Sequence, residues 1–428
     1  MSQPLTILVY CLESVGRYNA SFGLTTKLLK RGHRVIYLVP IHYKEKLQSH
    51  GFEVFVGPNG GKFEVEKNLG ETFSKMLLET GIVGPDNTTK KLDYYQKVFF
   101  DGDDAIQKTI DVEIDFKCAM NELKPDLVIG DLFFLPPSLY FSNTPWIQYI
   151  STNPLIEIHD DELPPGTSGF PCDKSNQHEW AEFERKFKQF SYSKKYNDEI
   201  EKLGYQRFPN DQVKPQTQIL SVYAFPDELN YPLVRNNDWY NIEVFVKNES
   251  ADTNDILKIM PKEFIDDTLD VDIDVMKRLT GILANTNHKY IVSKGPRHEE
   301  FDLPRNMWGD RYLPQIPILK FVDLVITHGG NNSLTEIFVQ AKPMIALPMF
   351  WDQYDNAQRL HETGYGIRLD PYNLTQDEMI SSLDKLLNDE QLKLKLKTAA
   401  NRILQSNADE IVCEKIENLM ANNNYSKN

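Results

Sequence analysis

The chain has 428 residues, 41% hydrophobic and 25% charged, the make-up of a globular protein too long for one ordinary core, so about two or three domains are expected. A formal net charge of −15 argues against nucleic acid or an anionic membrane as a partner, because most of the surface would repel either. The four cysteines, Cys11, Cys118, Cys172 and Cys413, lie far apart without metal-ligand spacing, which suits a reducing compartment.

In chain order, residues 5–12 read as a near-continuous apolar strand. That segment has no charged leading region or small-residue cleavage site, and no run of eighteen apolar residues occurs in the chain, so a cytosolic location is expected. A helix over 18–31 ends at Arg31-Gly32-His33, with His33 expected at the surface, and strands follow at 34–39 and 52–56. Residues 57–102 break the rhythm and read as an insertion at the open end of a sheet. Alternation resumes with a helix ending near Leu123, a strand at 126–130, a helix near 135–142 and a strand at 146–150. The charged segment 175–205 has a helical pattern, and 217–224 and 240–246 read as strands. Such alternation predicts a parallel sheet covered on both faces.

Residues 247–262 turn polar and irregular and are read as a linker, which divides the chain into an amino-terminal domain over 1–246 and a carboxy-terminal domain over 263–428. The second half repeats the alternation: helix 272–285, strands 289–293 and 323–327, helix 333–341, strand 344–348, helix 353–362, strand 365–369, then helices to the end. The last helix is expected to pack back on the amino-terminal domain. Gly57-Pro58-Asn59-Gly60-Gly61-Lys62 lacks the spacing of a phosphate loop, and no Gly-x-Gly-x-x-Gly follows the first strand, which argues against a dinucleotide oxidoreductase.

Residues 308–353 carry the chemistry. A strand runs into Thr327-His328-Gly329-Gly330-Asn331-Asn332-Ser333, and a helix opening at Ser333 would present free N–H groups and a positive dipole end to a phosphate. His328 can donate to a phosphate oxygen, Asn332 and Ser333 add short donors, and Gly329 and Gly330 let the backbone come close. Glu336 can accept from both hydroxyls of a ribose, while Asp352 and Gln353 carry the acceptor and donor pair that sugar hydroxyls require. Tyr312, beside Pro314-Gln315, offers a flat face to a base.

This ordered set resembles the donor-binding signature of the UDP-glycosyltransferases over about forty-five residues, with weaker similarity across most of the chain. The resemblance implies an α/β protein of GT-B type, two Rossmann-like, doubly wound parallel-sheet domains facing a cleft. It implies that Tyr312 and Gln315 hold uracil, Tyr312 replacing the usual Trp. His328 would bind the β-phosphate, Asn332 and Ser333 the α-phosphate, Glu336 the ribose, and Asp352 with Gln353 the transferred sugar. It further implies an inverting enzyme of detoxifying type that moves a sugar, glucose in most soluble forms, to a small lipophilic acceptor without a metal or other cofactor. Phe133, Phe134 and Tyr149 are the expected acceptor walls, and a cytosolic monomer without membrane or nucleic-acid partners is expected.

Two departures stand out. The family's base is a histidine just after the first strand, and Gly16-Arg17 occupies that place. A guanidinium does not lose its proton, so Arg17 is expected to pair with Asp131, the match to the aspartate that orients the base. Asp131 taking the proton itself, or an acceptor already ionised, remains open. A slow or acceptor-restricted enzyme follows, with a non-catalytic sugar-nucleotide or lipophile binder as the alternative. The second departure is the carboxy-terminal domain's first strand, which residues 264–276 do not supply; 240–246 is the candidate filler.

Overall fold

The protein is seen as a computed structural model that describes residues 3–12, 15–60, 75–100, 103–158, 160–188, 192–231, 239–245, 273–295, 297–311 and 313–422. The amino-terminal half forms one seven-stranded, all-parallel sheet in the order β3-β2-β1-β4-β5-β6-β7. Its strands are β1 (Thr6–Cys11), β2 (Arg34–Leu38), β3 (Glu53–Phe55), β4 (Leu127–Asp131), β5 (Trp146–Ile150), β6 (Leu220–Tyr223) and β7 (Trp239–Asn241). Every residue of β4 and β5 is buried, as expected of strands with helices on both faces. The order reverses between β1 and β4, and the register Cys11↔Asp131 brings the carboxyl ends of these two strands together at the switch point, where open parallel sheets bind ligands.

The carboxy-terminal half contains β8 (Tyr290–Ser293) paired with β9 (Met307–Asp310), and separately β10 (Val325–Thr327), β11 (Met344–Ala346) and β12 (Gly366–Arg368), all parallel. β9 is not foreshadowed by the sequence, because Met-Trp-Gly-Asp has no apolar run and the strand stays half exposed. Gly309 permits the pairing, since a Cβ there would lie 2.0 Å from the Val292 carbonyl oxygen. Among the described residues no strand joins β8–β9 to β10–β12. Both the linker at 247–262 and most of the 264–276 segment fall outside the described residues. The proposed filler is corrected: β7 pairs with β6 (Val222↔Tyr240) and so completes the amino-terminal sheet.

The helices that bear on the site are α1 (Val15–Lys30), α2 (Thr88–Tyr95), α3 (Ile273–Leu283), α4 (Asn331–Val339), α5 (Gln353–Glu362) and α6 (Ala408–Asn422). α4 begins at Asn331, two residues before the expected Ser333, because Gly330 already has the extended geometry of an N-cap (φ −59°, ψ 145°). α2 lies in the segment read as an insertion; Asn87 caps it by accepting from the Lys90 N–H. The apolar core is continuous across the two halves: Ile150, Leu155, Phe225 and Leu229 share one cluster with α3 and with Leu334, Phe338 and Leu360. No helix of the described residues is long and apolar enough to cross a membrane.

α6 packs on the amino-terminal half. Val412, Cys413 and Ile416 enter the core beneath β1 and β2, and charges fix the register. Lys27 meets Asp409 at 3.1 Å and also pairs with Glu410, while Arg31 meets Glu417 at 2.8 Å. His33, expected at the surface, is instead 3% exposed: Leu5 N–H donates to its Nδ1 and Glu417 lies 3.0 Å from its Nε2. The turn that ends α1 is covered by α6, and a buried imidazole keeps both ring nitrogens paired. The Arg31 guanidinium, with burial opposing and His33 assisting, holds the Glu417 carboxyl down to about 2. A depressed carboxylate contributes stability above its ordinary value near 4.5, lost as pH falls toward 2. Glu417→Gln should therefore lower stability by about 1–3 kcal/mol at pH 7, with the difference from the unaltered protein shrinking between pH 4.5 and 2 in denaturant titrations.

Candidate active site

The site is built where β10 runs into α4. Thr327 ends the strand, Gly329 takes a positive φ of +83°, and Gly330 caps the helix without a side-chain bond. A Cβ on Gly330 would lie 2.6 Å from His328 Nε2, so only glycine leaves the imidazole in place. Burial pushes His328 down to about 4, which keeps the ring neutral near pH 7, with one nitrogen donating and one accepting. The first-turn N–H groups of α4 beside it carry a partial positive charge suited to an anion. At the rim, Gln315 Nε2 donates to Glu336 Oε2 at 2.6 Å and to Ser333 Oγ at 3.4 Å. Four predicted residues, Gln315, His328, Ser333 and Glu336, thus surround the start of α4. Tyr312 lies outside the described residues.

Other predicted residues serve the closure between the halves. Asn332 is expected at a phosphate; in the structure its Nδ2 donates to the Gly16 carbonyl at 2.7 Å, because the first turn of α4 meets the first turn of α1. Asn331 Nδ2 donates to the carbonyls of Ser151, Thr152 and Ala224, each at 3.1 Å. Asp352 Oδ2 accepts from the Asn153 N–H at 3.0 Å and from Asn356 Nδ2 at 3.3 Å. Gln353 Oε1 accepts from the N–H groups of Met349 and Phe350 at 3.0 and 3.1 Å. Burial lifts Asp352 to about 6, opposed by the Asn153 N–H and by the nearby Arg17 charge. Asn153 and Asn356, both fully buried, escaped the sequence reading because each acts through a partner in the other half. Asn356 Nδ2 also donates to the Gly329 carbonyl at 2.9 Å, linking Asp352 to the His328 loop.

Across the junction, Arg17 in the first turn of α1 meets Asp131 at the end of β4, Nη1 to Oδ1 2.7 Å, with side-chain exposures of 13% and 5%. Ser151 Oγ donates to the other Asp131 oxygen. The Arg17 guanidinium lies 4.5 Å from the centroid of the Phe133 ring, which meets Trp351 edge-on at 5.6 Å. The aspartate that would orient a base instead holds a permanent cation.

Of the three aromatics expected to contact an acceptor, Phe133 alone faces this junction. Phe134 packs on Tyr196 at 5.8 Å inside the amino-terminal core. Tyr149 is 1% exposed and donates to the Ala20 carbonyl at 2.7 Å, because position 149 of β5 points to the face covered by α1. Trp351, which the sequence reading passed over, has a left-handed backbone (φ +53°), and its indole Nε1 is buried without a partner.

Two parallel-sheet halves joined at the strand ends are the GT-B architecture. The chain aligns over 98% of its length with the glycosyltransferase of kitacinnamycin at TM-score 0.67 and 17% identity, covering 99% of that chain. It aligns over 99% with the calicheamicin glycosyltransferase CalG4 at TM-score 0.63 and 14% identity, covering 100% of that chain. Residues 302–401 match the family described as UDP-glucoronosyl and UDP-glucosyl transferase. UDP-glucosyltransferase 2 of Dactylopius coccus is 32% identical over 102 residues, 23% of this chain and 20% of that protein. A UDP-glucuronosyltransferase of Pleuronectes platessa is 34% identical over 96 residues, 22% and 20% respectively. The match thus spans about a fifth of the length of these relatives. Gly330→Ala should displace the His328 ring and cost about 1–3 kcal/mol of stability, as overpacking does, read as a lower midpoint in denaturant unfolding.

Proposed function

We propose that the protein transfers a sugar from a UDP-sugar to a small lipophilic acceptor with inversion, and does so slowly. The observation that carries this reading is the convergence of His328, Ser333, Glu336 and Gln315 on the side-chain-uncapped start of α4. On it, the helix amides and the neutral imidazole meet the diphosphate, Glu336 holds the ribose, and Asp352 with Gln353 faces the sugar, glucose by resemblance. Charge on the departing UDP is met by these groups, and no metal is called for. An acceptor oxygen attacks the anomeric carbon, the bond to the UDP oxygen breaks, and the acceptor proton must leave. Arg17 cannot take it. Asp131 can receive it only while held by Arg17 and Ser151, so a general-base contribution of about 10²–10⁴ in rate is forfeited unless the acceptor arrives ionised. A cytosolic location follows from the sequence reading, and a monomer is proposed with it.

The Arg17–Asp131 ion pair also favours a second reading, a binder of sugar nucleotides or lipophiles without turnover. Calorimetry with UDP and turnover of UDP-glucose with a panel of phenols, on the same sample, separate the two. UDP uptake that His328→Ala and Glu336→Ala each weaken about tenfold or more is expected. Absent uptake, or variants that change nothing, overturns the sugar-nucleotide reading, with or without turnover. Arg17→His should raise turnover with weakly acidic phenols by about tenfold or more; no rise would show that the missing imidazole does not limit the rate.

A further inference from the structure

The segment 349–354, which carries Asp352 and Gln353, is gripped from the opposite half by two residues one turn apart on α2. Lys91 is 1% exposed. Its ammonium donates to the Tyr354 hydroxyl at 2.6 Å and to the Met349 carbonyl at 3.4 Å, and Tyr354 itself donates to Met349 O at 2.7 Å. The rings of Tyr354 and Tyr372 lie 5.2 and 5.7 Å from the Lys91 nitrogen. The Tyr95 hydroxyl accepts from the Trp351 N–H at 3.1 Å, at the residue whose φ of +53° a tryptophan adopts only when its surroundings impose it. Met349 and Phe350 in turn donate their N–H groups to Gln353 Oε1. Lys91 therefore ties together the two ends of a short loop, Met349 and Tyr354, and Tyr95 holds its middle at Trp351, next to Asp352, while N–H groups of the same loop fix Gln353.

We propose that Lys91 and Tyr95 are positioning residues that set the loop 349–354 for recognition of the transferred sugar, as distinct from the nucleotide. This rests on the reading of Asp352 and Gln353 as the sugar subsite. Stability alone does not account for Lys91. A buried ammonium partnered by a hydroxyl, a carbonyl and two ring faces, with no carboxylate in contact among the described residues, carries a large desolvation cost. Burial accordingly lowers its pKa from 10.5 to about 8, although Asp370 beyond β12 and Asp86 ahead of α2 oppose the shift. The unfolded chain holds this proton up to about 10.5 and the folded chain gives it up near 8, so the fold carries the cost at and below pH 8 and is relieved of it as pH rises to 10.5. A methionine of similar length would fill the space without that cost. The proton-bearing nitrogen is retained where its bonds reach the loop, and rule-breaking residues of this kind gather at functional sites.

The test uses the whole protein, Lys91→Met and Tyr95→Phe, with calorimetric affinities for UDP and for UDP-glucose, UDP-galactose and UDP-glucuronate, together with thermal midpoints at pH 7. Expected are a midpoint for Lys91→Met no lower than that of the unaltered protein, UDP affinity within about twofold, and a loss of about tenfold or more for the best-bound UDP-sugar. Tyr95→Phe should shift the same ratio of UDP-sugar to UDP affinity by a smaller factor. An unchanged ratio in both variants while UDP binds normally overturns the inference alone, as does an equal loss for UDP and UDP-sugar. No UDP uptake by the unaltered protein overturns the sugar-nucleotide reading and this inference with it.

Discussion

The burial of α5 against the segment that follows β5 is the constraint on which the rest of the site depends. Asn153 and Asn356 are fully buried and face each other at 2.8 Å. Asp355, 2% exposed, accepts from the N–H groups of Thr167 and Gly169, and Arg359 donates to the carbonyls of Leu229 and Asn230 at 2.8 Å. Each of these polar groups would be costly to bury alone, and each takes at least one of its partners from the opposite half. Burial pushes Asp355 up to about 7 against the pull of its two N–H donors, a mark of how dry the junction is. The two halves are thus held in one arrangement by polar complementarity laid over a shared apolar core.

That closure explains why the site residues divide into two groups. Gln315, Ser333 and Glu336 lie at the rim of α4. Asn332, Asp352 and Gln353 lie deeper and bond to the other half or to their own loop. A ligand at the inner positions must exchange some of those bonds for its own. The outer positions are bonded to one another, Gln315 to Glu336 and Ser333. Preorganisation of this kind favours recognition when the exchanged bonds are matched, and costs affinity when they are not.

Arg17 changes the chemistry more than the shape. The register of β1 with β4 puts a side chain from the first turn of α1 beside Asp131 whatever that side chain is. An imidazole there would be a base oriented by a carboxylate; a guanidinium there is a fixed charge neutralised by it. The Phe133 face takes up the cation beside Asp131.

Periodicity alone was enough to read the first five strands, the α5 boundaries and the alternation of both halves, because a buried parallel strand must be apolar throughout and a covering helix apolar on one face. Local spacing likewise marked the β10–α4 turn and its glycines, since a positive φ at Gly329 and the contact of Gly330 with His328 are settled within a few residues. The family resemblance, not spacing, implied that Arg17 stands at the position of a base histidine. Tertiary packing alone placed Tyr149 and Phe134 in the core, carried His33 under α6, assigned β7 to the first sheet, and gave Asn332 and Asp352 partners in the other half. The reason is physical: a side chain's partners across a domain junction lie a hundred or more residues away in sequence, and no local pattern records which donor will meet which acceptor when two surfaces close.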